Sequence, residues 1–345
     1  MAEDIEEIED DSTSEELYEH YRFTADPGQE TLRIDKFLMD RLPNTSRNKI
    51  QIAAKNGNIL VNEAKVKQNY KIKARDEVSI VLPYPVREIE LIPEDIPLDI
   101  AYEDEDLIVV NKQANMVVHP GYGNYTGTLV NALVYHFENL PQRNQDYFGR
   151  PGLVHRLDKH TTGLLVVAKT EYALTNLAKQ FYDRTTERRY WALVWGDVEE
   201  DGTVTGNLGR SLKNRKVMSV FPEGDFGKHA VTHYKVIKRY GYVTLVECKL
   251  ETGRTHQIRV HMKFIGHPLF HDLEYGGDSI LKGTTNSKYK KFIENCFALL
   301  PGQALHAKTL GFQHPEKKEF IQLTSELPEG FAKVLEKWDK FTGAE

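Results

Sequence analysis

The sequence predicts an α+β protein in which a small α/β domain precedes a larger domain with a mixed, largely antiparallel central sheet. At 345 residues the chain is long enough for two domains. Residues 82–97 contain four prolines, which indicates a linker between them. Beyond it, β-prone segments at 190–195 and 242–250 follow one another without regular crossover helices, as in antiparallel sheets. The predicted boundaries are a tail at 1–24, the small domain at 25–83, the linker at 84–95 and the larger domain at 96–345.

The tail is strongly acidic. Residues 1–20 contain ten Asp or Glu and no Lys or Arg, with few residues that could form a core, so we expect disorder. Two roles remain open for it: a solvated tail that maintains solubility, or an electrostatic competitor for the basic segment behind it. That segment, residues 31–80, contains eleven Lys or Arg against five Asp or Glu. The net charge of −6 therefore averages over unlike parts and does not exclude an anionic partner.

The small domain is predicted to begin with two helices. The apolar residues of the first recur at steps of three and four, at Ile34, Phe37, Leu38 and Leu42. The second ends near Gly57, and short β-prone pieces follow at 59–61 and 78–81. Six cations lie on or beside the helices: Arg33, Lys36, Arg41, Arg47, Lys49 and Lys55. They predict a phosphate-binding face, with a merely solvated helical surface as the alternative.

The larger domain alternates short apolar runs, typical of buried strands, with longer periodic runs, typical of helices. Besides the two segments named above, strands are predicted at 107–112, 163–169 and 319–323. Helices are predicted at 128–137, 172–184 and 330–341. No internal repeat is visible, so a solenoid is excluded.

Composition excludes several classes of protein. No apolar run approaches the roughly 18 residues of a membrane-spanning helix, and the acidic N-terminus lacks the pattern of a secretory signal. Cys248 and Cys296 lie far apart and in no C-x-x-C pair, which argues against a disulfide framework and for the reducing cytoplasm. Nothing marks a subunit interface, so we expect a monomer.

Neither a nucleotide-binding turn nor a metal site is expected. The glycines of 121–127 follow the strand at 107–112 too distantly, and the third comes one residue late for a dinucleotide-binding fingerprint. His261, His267 and His271 have no cysteine beside them, so we expect them to pack or to form hydrogen bonds rather than to bind zinc.

Two features of the small domain resemble the S4-like RNA-binding domain of ribosomal proteins and RNA-modifying enzymes. They are the R-x-D-K-F-L opening at 33–38 and a second helix that runs into G-x-I-x-V-N at 57–62. The resemblance implies binding to structured RNA through shape and backbone. It makes five cations candidate RNA contacts: Arg33, Lys36, Arg47, Lys49 and Lys55.

Three ordered motifs of the larger domain resemble those of the RluA-type pseudouridine synthases. The first is H-R-L-D-K-H-T-T-G-L-L at 155–165, and the second is R-R-Y-W-A-L-V-W-G at 188–196, with Arg188 in place of the usual lysine. The third is L-E-T-G-R-T-H-Q-I-R-V-H at 250–261, followed by G-H-P-L-F-H-D-L-E-Y-G at 266–276. The whole is most similar to the RluD-type enzymes, which act on large-subunit (23S) ribosomal RNA. The implied role is therefore ribosomal RNA modification in ribosome biogenesis.

The resemblance implies a role for each motif residue. Asp158 is the nucleophile or, in a rival mechanism, the group that removes a ribose proton. Arg259 is its salt-bridge partner, Tyr190 stacks on the target base, and Arg156 enters the RNA where the target nucleotide leaves. The remaining candidate substrate contacts are His155, Thr161, Arg254, Thr255, His256 and Gln257.

Elementary chemistry agrees with these roles. Isomerising uridine oxidises nothing and releases no group, so neither a redox cofactor nor a metal is needed. A carboxylate in a closed pocket needs an adjacent arginine to stay ionised. Two rivals remain: a glycosidase, for which the first motif supplies no second carboxylate, and a non-catalytic RNA-binding factor, which would not need Asp158 or Tyr190. The lysine-containing insert at 277–303 is either a tolerated surface insertion or a contributor to target choice.

Overall fold

The computed structural model describes residues 17–42, 45, 47–82, 91–121, 123–137, 140, 151–214 and 217–343. The chain divides into two units, at residues 1–89 and 90–345. The acidic tail up to residue 16 and the linker at 83–90 lie outside the described residues.

The described part of the first unit contains two helices and six short strands. Its elements are β1 (Tyr18–Thr24), β2 (Leu32–Arg33), α1 (Ile34–Met39), α2 (Arg47–Lys55), β3 (Ile59–Val61), β4 (Ala64–Lys65), β5 (Lys71–Ile72) and β6 (Glu77–Leu82). Four strands form a sheet in the order β1-β6-β3-β4, and β2 pairs with β5. The helical stripe of Ile34, Phe37 and Leu38 is fully buried against Ile59 and Val78 of the sheet, as the sequence periodicity predicts.

The N-terminal boundary differs from the prediction. Residues 18–24, assigned from the sequence to a disordered tail, form β1 and pair antiparallel with the whole of β6. Tyr21 and Phe23 pack against the core of this unit. Arg22 bonds Glu19 of the same strand and Glu77 of β6, so an acidic residue that suggested a tail is paired with a cation. The prediction of disorder is wrong for this segment because a neighbouring strand satisfies its backbone.

The second unit contains one large sheet and five helices in its described part. Its elements are β7 (Ile100–Glu103), β8 (Leu107–Lys112), α3 (Leu129–His136), β9 (Thr162–Ala168), α4 (Glu171–Asp183), β10 (Glu187–Trp195), β11 (Gly202–Arg210), β12 (Met218–Phe221), β13 (Lys228–Arg239), β14 (Val243–Leu250), α5 (Gln257–Phe264), α6 (Ser287–Phe297), β15 (Leu305–Gln313), β16 (Phe320–Thr324) and α7 (Glu329–Thr342). The ten strands follow the order β12-β11-β13-β14-β10-β15-β9-β8-β7, and β16 pairs with β15. Only β15 and β9 pair in parallel among the described strands, so the predicted mixed, largely antiparallel α+β fold is confirmed.

Strand β10 lies at the centre of this sheet and separates two hydrophobic cores. Tyr190, Ala192 and Val194 belong to the core that contains α3 and α5. Leu193 and Trp195 belong to the core that contains α6 and α7. Alternate side chains of a strand point to opposite faces, so β10 anchors both layers and presents Tyr190 to one of them.

The insert at 277–303 is part of the second core. Its helix α6 buries Tyr289, Ile293 and Cys296 against Trp338 of α7. The interpretation of this segment as a tolerated surface insertion is therefore wrong, because its apolar residues complete the layer on that face of the sheet.

The predicted linker also has a structured end. Asn131 of α3 donates its side-chain amide to the carbonyl of Ile92 at 2.8 Å, and Glu94 accepts from the backbone N–H of Gly127 at 2.9 Å. Leu91 and Ile96 pack against the first core of this unit. Residues 91–95 thus pack on the second unit, contrary to the prediction of a free linker to residue 95. In the described part of the chain, no helix is both long and apolar enough to cross a membrane.

Candidate active site

Asp158 lies in the loop that precedes β9. The carbonyl of Asp158 accepts from the backbone N–H of Thr161 at 3.1 Å, and the buried hydroxyl of Thr161 accepts from Gln303 at 3.2 Å. His155 accepts from the N–H of Val166 in β9 at 3.0 Å and stacks on Phe181, with ring centroids 4.5 Å apart. Burial lowers the pKa of His155 to about 3, with a smaller contribution from Arg188, so its ring stays neutral and can accept. These contacts tie the loop to the sheet.

Arg259, on helix α5, contacts the carboxylate of Asp158. Its Nη1 donates to Asp158 Oδ2 at 3.3 Å, although 101 residues separate the two in sequence. The Arg259 side chain is only 4% exposed, whereas that of Asp158 is 18% exposed. The carboxylate therefore keeps one side toward solvent while its counterion is buried.

Two further acids hold Arg259. Fully buried Asp272 accepts from Nε at 2.7 Å and from Nη2 at 2.8 Å, and Glu274 accepts from Nη2 at 2.6 Å. Burial alone would lower the pKa of Arg259, but the bonds and charges of Asp272, Asp158 and Glu274 raise it above its ordinary value. The guanidinium of Arg259 is thus permanently charged and held in place by its acidic partners.

His256 stands beside the same carboxylate. It precedes α5 in the left-handed region, at φ 56°, and its Nε2 lies 3.8 Å from Asp158 Oδ1. Tyr275 Oη accepts from the N–H of Met218 at 3.0 Å and lies 2.8 Å from His256 Nδ1. Burial raises the pKa of Tyr275 to about 12 and lowers that of His256, so a protonated hydroxyl faces a neutral imidazole. We infer that Tyr275 donates to Nδ1, so that the imidazole proton sits on Nε2, toward Asp158.

Tyr190 of β10 faces the cavity next to Asp158. Its side chain is buried, and burial raises the pKa of its hydroxyl. That hydroxyl has no hydrogen-bond partner among the described residues. An aromatic ring held on a rigid strand, with a free polar edge, suits a flat heterocycle.

Lys112 is a site residue that the sequence did not reveal. It ends β8 and is 2% exposed. Its Nζ donates to the carbonyls of Gln113 and Met116 at 2.8 Å each and of Lys159, next to Asp158, at 3.2 Å. Burial lowers its pKa to about 7, against a smaller opposing contribution from Asp158. A lysine that ends a buried strand carries no local signal, since its role depends on a loop 47 residues away.

Asp158 lies where two cavities meet. One, of about 390 Å³, is also lined by Tyr190, Arg188 and Arg184. The other, of about 690 Å³, is also lined by His119 and Lys159. Arg156, which is exposed, lines both cavities. The arrangement places a carboxylate, paired with a buried arginine, in a cleft whose described lining carries more basic than acidic side chains.

The remaining predicted residues are divided between this cleft and the first unit. Gln257 is buried and uses its amide on Thr252, Arg254, Val231 and Thr232, so it fastens α5 to the sheet. Arg254 donates to the carbonyl of His229, and Thr255 is exposed at the rim.

In the first unit, Arg33 and Arg47 bind fully buried Asp35 at 2.9 and 3.0 Å. Burial raises the pKa of Asp35, but the bonds from Arg33, Gln51 and Arg47 outweigh this and lower it. Lys36 and Lys55 are exposed, whereas the side chain of Lys49 lies outside the description.

The three histidines of the third motif pack rather than converge. His261 bonds Thr232, His267 bonds the carbonyl of Trp195, and the ring of His271 packs at a tilt against Phe297. Within the described ranges the only trio of potential metal ligands is Asp104, Asp106 and His314. Lys317 donates to Asp104 at 2.8 Å there, so a cation of the protein already fills that position.

Comparison with known proteins identifies the family. The sequence model described as RNA pseudouridylate synthase matches residues 106–264, and that of the S4 domain matches residues 32–78. A relative from Chlorobaculum parvum, named an uncharacterized RNA pseudouridine synthase, is 47% identical over 311 residues, covering 90% of this chain and 94% of the relative. The chain belongs to the RNA pseudouridine synthase family. The predicted family, its fold and the S4 domain are thereby confirmed.

One further relative and one solved structure are also similar to this pseudouridine synthase. The protein named ribosomal large subunit pseudouridine synthase D from Neisseria meningitidis serogroup A is 41% identical over 303 residues, covering 88% of this chain and 78% of the relative. The solved structure named human RNA pseudouridylate synthase domain containing 4 aligns with a TM-score of 0.53 at 25% identity, covering 70% of this chain and 92% of that one.

Proposed function

We propose that this enzyme isomerises specific uridines of large-subunit (23S) ribosomal RNA to pseudouridine, with Asp158 as the nucleophile. The observation that supports this best is the pairing of a partly exposed Asp158 with a buried Arg259 at 3.3 Å, inside a basic cleft. The target class rests on relatives named for the large ribosomal subunit and on the S4 domain.

We infer a covalent route, which the position of Asp158 allows. Asp158 attacks C1′ of the ribose, the C1′–N1 bond breaks, and the uracil leaves with the bonding electron pair. The base turns while Tyr190 holds its face, and C5 then bonds to C1′ as the carboxylate departs. C5 loses its proton and N1 gains one, so atoms and electrons balance without an oxidant or cofactor. In the rival route Asp158 first removes a ribose proton, and the same arrangement serves it.

Base flipping supplies the substrate. A stacked uridine cannot reach Asp158 at the base of the cleft, so the nucleotide must leave the RNA helix. Arg156 is exposed beside both cavities and is placed to fill the gap. Unstacking requires a few kcal/mol, which contacts to the backbone must offset. We place the reaction in the cytoplasm, on free RNA or the assembling large subunit, with a monomeric enzyme.

Tritium release tests the proposed function. Rejoining the base through C5 expels the hydrogen there, so [5-³H]uridine transcripts of 23S RNA, 16S RNA and a transfer RNA are incubated separately with the full-length enzyme. Release from the 23S transcript, or from assembling large subunits, supports the proposal. Release only from the 16S transcript or the transfer RNA would contradict the substrate class.

A further inference from the structure

Arg188 is a buried cation in the wall of the active-site cavity. It belongs to β10, two residues before Tyr190, and is only 8% exposed. Together with Tyr190 and Asp158 it lines the cavity of about 390 Å³. In the second motif Arg188 keeps the positive charge of the usual lysine. The position of the side chain gives it a sharper meaning.

The Arg188 charge has no counterion among the residues that the structure describes. There its side chain forms no ion pair and no hydrogen bond, and its Nε is completely buried without an acceptor. The ring of Phe181 lies 5.4 Å from the guanidinium carbon. Burying a charge without a partner is strongly unfavourable, and arginine is almost never found so. A structural role in the empty enzyme does not explain this placement.

The acids of the same cavity are already used. Asp158 binds Arg259, and Glu251 accepts from His233 at 2.6 Å. The other cations that line the wall are Arg156, Arg184 and Arg254. Gly253 makes room for the guanidinium, since a Cβ at that position would lie 2.9 Å from Arg188 Nη1. The cavity therefore holds a preformed cationic position beside the reacting groups.

The missing partner must be anionic. A uracil carbonyl can accept a hydrogen bond but brings no charge, whereas the phosphodiesters of RNA are its only anionic groups at neutral pH. A guanidinium binds phosphate oxygens with its forked donors. We propose that Arg188 binds a phosphodiester that flanks the target uridine and so holds the flipped nucleotide against Tyr190 and Asp158. This inference rests on the proposed function, since it takes RNA as the ligand.

The test compares Arg188→Gln with Arg189→Gln, which removes the same charge from the neighbouring residue of β10. Arg189 is paired with Glu247 at 2.7 Å, and the cavity wall does not include it. Tritium release from 23S transcripts under single-turnover conditions gives the half-saturating RNA concentration, and filter retention gives the affinity across salt concentrations. Arg188→Gln should raise both the half-saturating concentration and the dissociation constant roughly ten- to a hundredfold. It should also make the salt dependence of log affinity shallower by about one, which Arg189→Gln should not do.

Two more variants separate binding from folding. Arg188→Lys keeps the charge and should retain the salt dependence while losing part of the affinity. Gly253→Ala keeps every charge but crowds the guanidinium, so it should weaken RNA binding in the same direction. Since Arg188→Gln removes an unpaired buried charge, its thermal midpoint should stay equal to the wild-type value or exceed it.

Three results would overturn the inference: RNA affinity and salt dependence in Arg188→Gln equal to those of Arg189→Gln, a clear drop of its thermal midpoint, or failure of the variant to fold. The last two would make Arg188 a structural residue. Absence of tritium release from every transcript and subunit with the wild type would instead defeat the proposed function, and the filter-retention comparison would still decide the role of Arg188.

Discussion

Arg259 binds Asp272 through two short hydrogen bonds, of 2.7 and 2.8 Å, and reaches Asp158 only with its remaining nitrogen, at 3.3 Å. The buried acid thus fixes the guanidinium, and the guanidinium in turn positions the carboxylate of Asp158. Asp272 also accepts from the backbone N–H groups of Glu274 and Tyr275 at 3.1 Å each. The Arg259–Asp272 pair therefore links α5 to the turn that contains Glu274 and Tyr275.

Replacing Asp272 with Asn should damage both stability and turnover. The change removes a negative charge that pairs with the buried Arg259, which typically lowers the unfolding free energy by about 3 kcal/mol. It also lets the guanidinium shift relative to Asp158. A displacement of about 1 Å can slow a reaction on the order of 100-fold. Denaturant unfolding and single-turnover tritium release measure the two effects. Glu274→Gln is the matched control, because Glu274 is 48% exposed and its loss should cost less than about 1 kcal/mol. Equal effects of the two variants would contradict the account.

In the Tyr275→Phe variant, the imidazole proton of His256 should no longer be held on Nε2. Without the hydroxyl, Nδ1 loses its donor and the N–H of Met218 loses its acceptor. We expect a loss of about 1–2 kcal/mol in unfolding free energy and slower turnover at unchanged RNA affinity, because the imidazole beside Asp158 is no longer held. Nitrogen chemical shifts of the His256 ring report the tautomer. A ring that keeps its proton on Nε2 in the variant would show that Tyr275 does not set it.

Lys112 should make stability depend on pH in the alkaline range. Burial lowers its folded-state pKa to about 7 from the ordinary 10.5 of a lysine, so between these values the unfolded chain binds more protons than the folded one. Below pH 7 the buried, charged Lys112 lowers the unfolding free energy. This loss is regained as the pH rises toward 10.5 and the amine of the folded state becomes neutral. The unfolding free energy of the wild type, minus that of Lys112→Met, should increase from pH 6.5 to 9.5 in urea titrations. Lys36→Met, a change at an exposed lysine, should show no such trend.

Lys36 and Lys55 should contribute to RNA binding by the S4 domain. Both are exposed, and neither has an acid partner among the described residues, unlike Arg33 and Arg47, which share Asp35. Changing both lysines to Gln should make the salt dependence of RNA affinity shallower by up to about two and leave the chemical step at saturating RNA nearly unchanged. A slower chemical step would mean that these lysines act beyond binding.

The sequence predicted the residues that converge on the site better than the elements that carry them. The motifs that contain Asp158, Tyr190 and Arg259 are separated along the chain but meet at one cavity. The predicted strand 107–112 matches β8. Its first four residues form an unbroken apolar run, which is typical of a buried strand. Helix α7 was predicted to within one residue at each end by its 3.6-residue period.

Other elements left little local signal. Strand β13 spans twelve residues but mixes short apolar pairs with lysine, histidine and arginine, so neither an apolar run nor a regular alternation marks it. Helix α6 looked like a polar insertion because only one stripe of it is buried. Asp272, Lys112 and the unpaired Arg188 have roles that depend on contacts with other segments of the chain. A buried charge is defined by what surrounds it, and the sequence alone does not show this.

The most direct test of the central claim is tritium release from [5-³H]uridine 23S transcripts by the wild type and by Asp158→Asn. The substitution keeps the size of the side chain and removes the nucleophile. We predict release by the wild type and none by the variant, with the RNA affinity of the two nearly equal by filter retention. Release by Asp158→Asn at the wild-type rate would contradict the assignment of Asp158 as the reacting group.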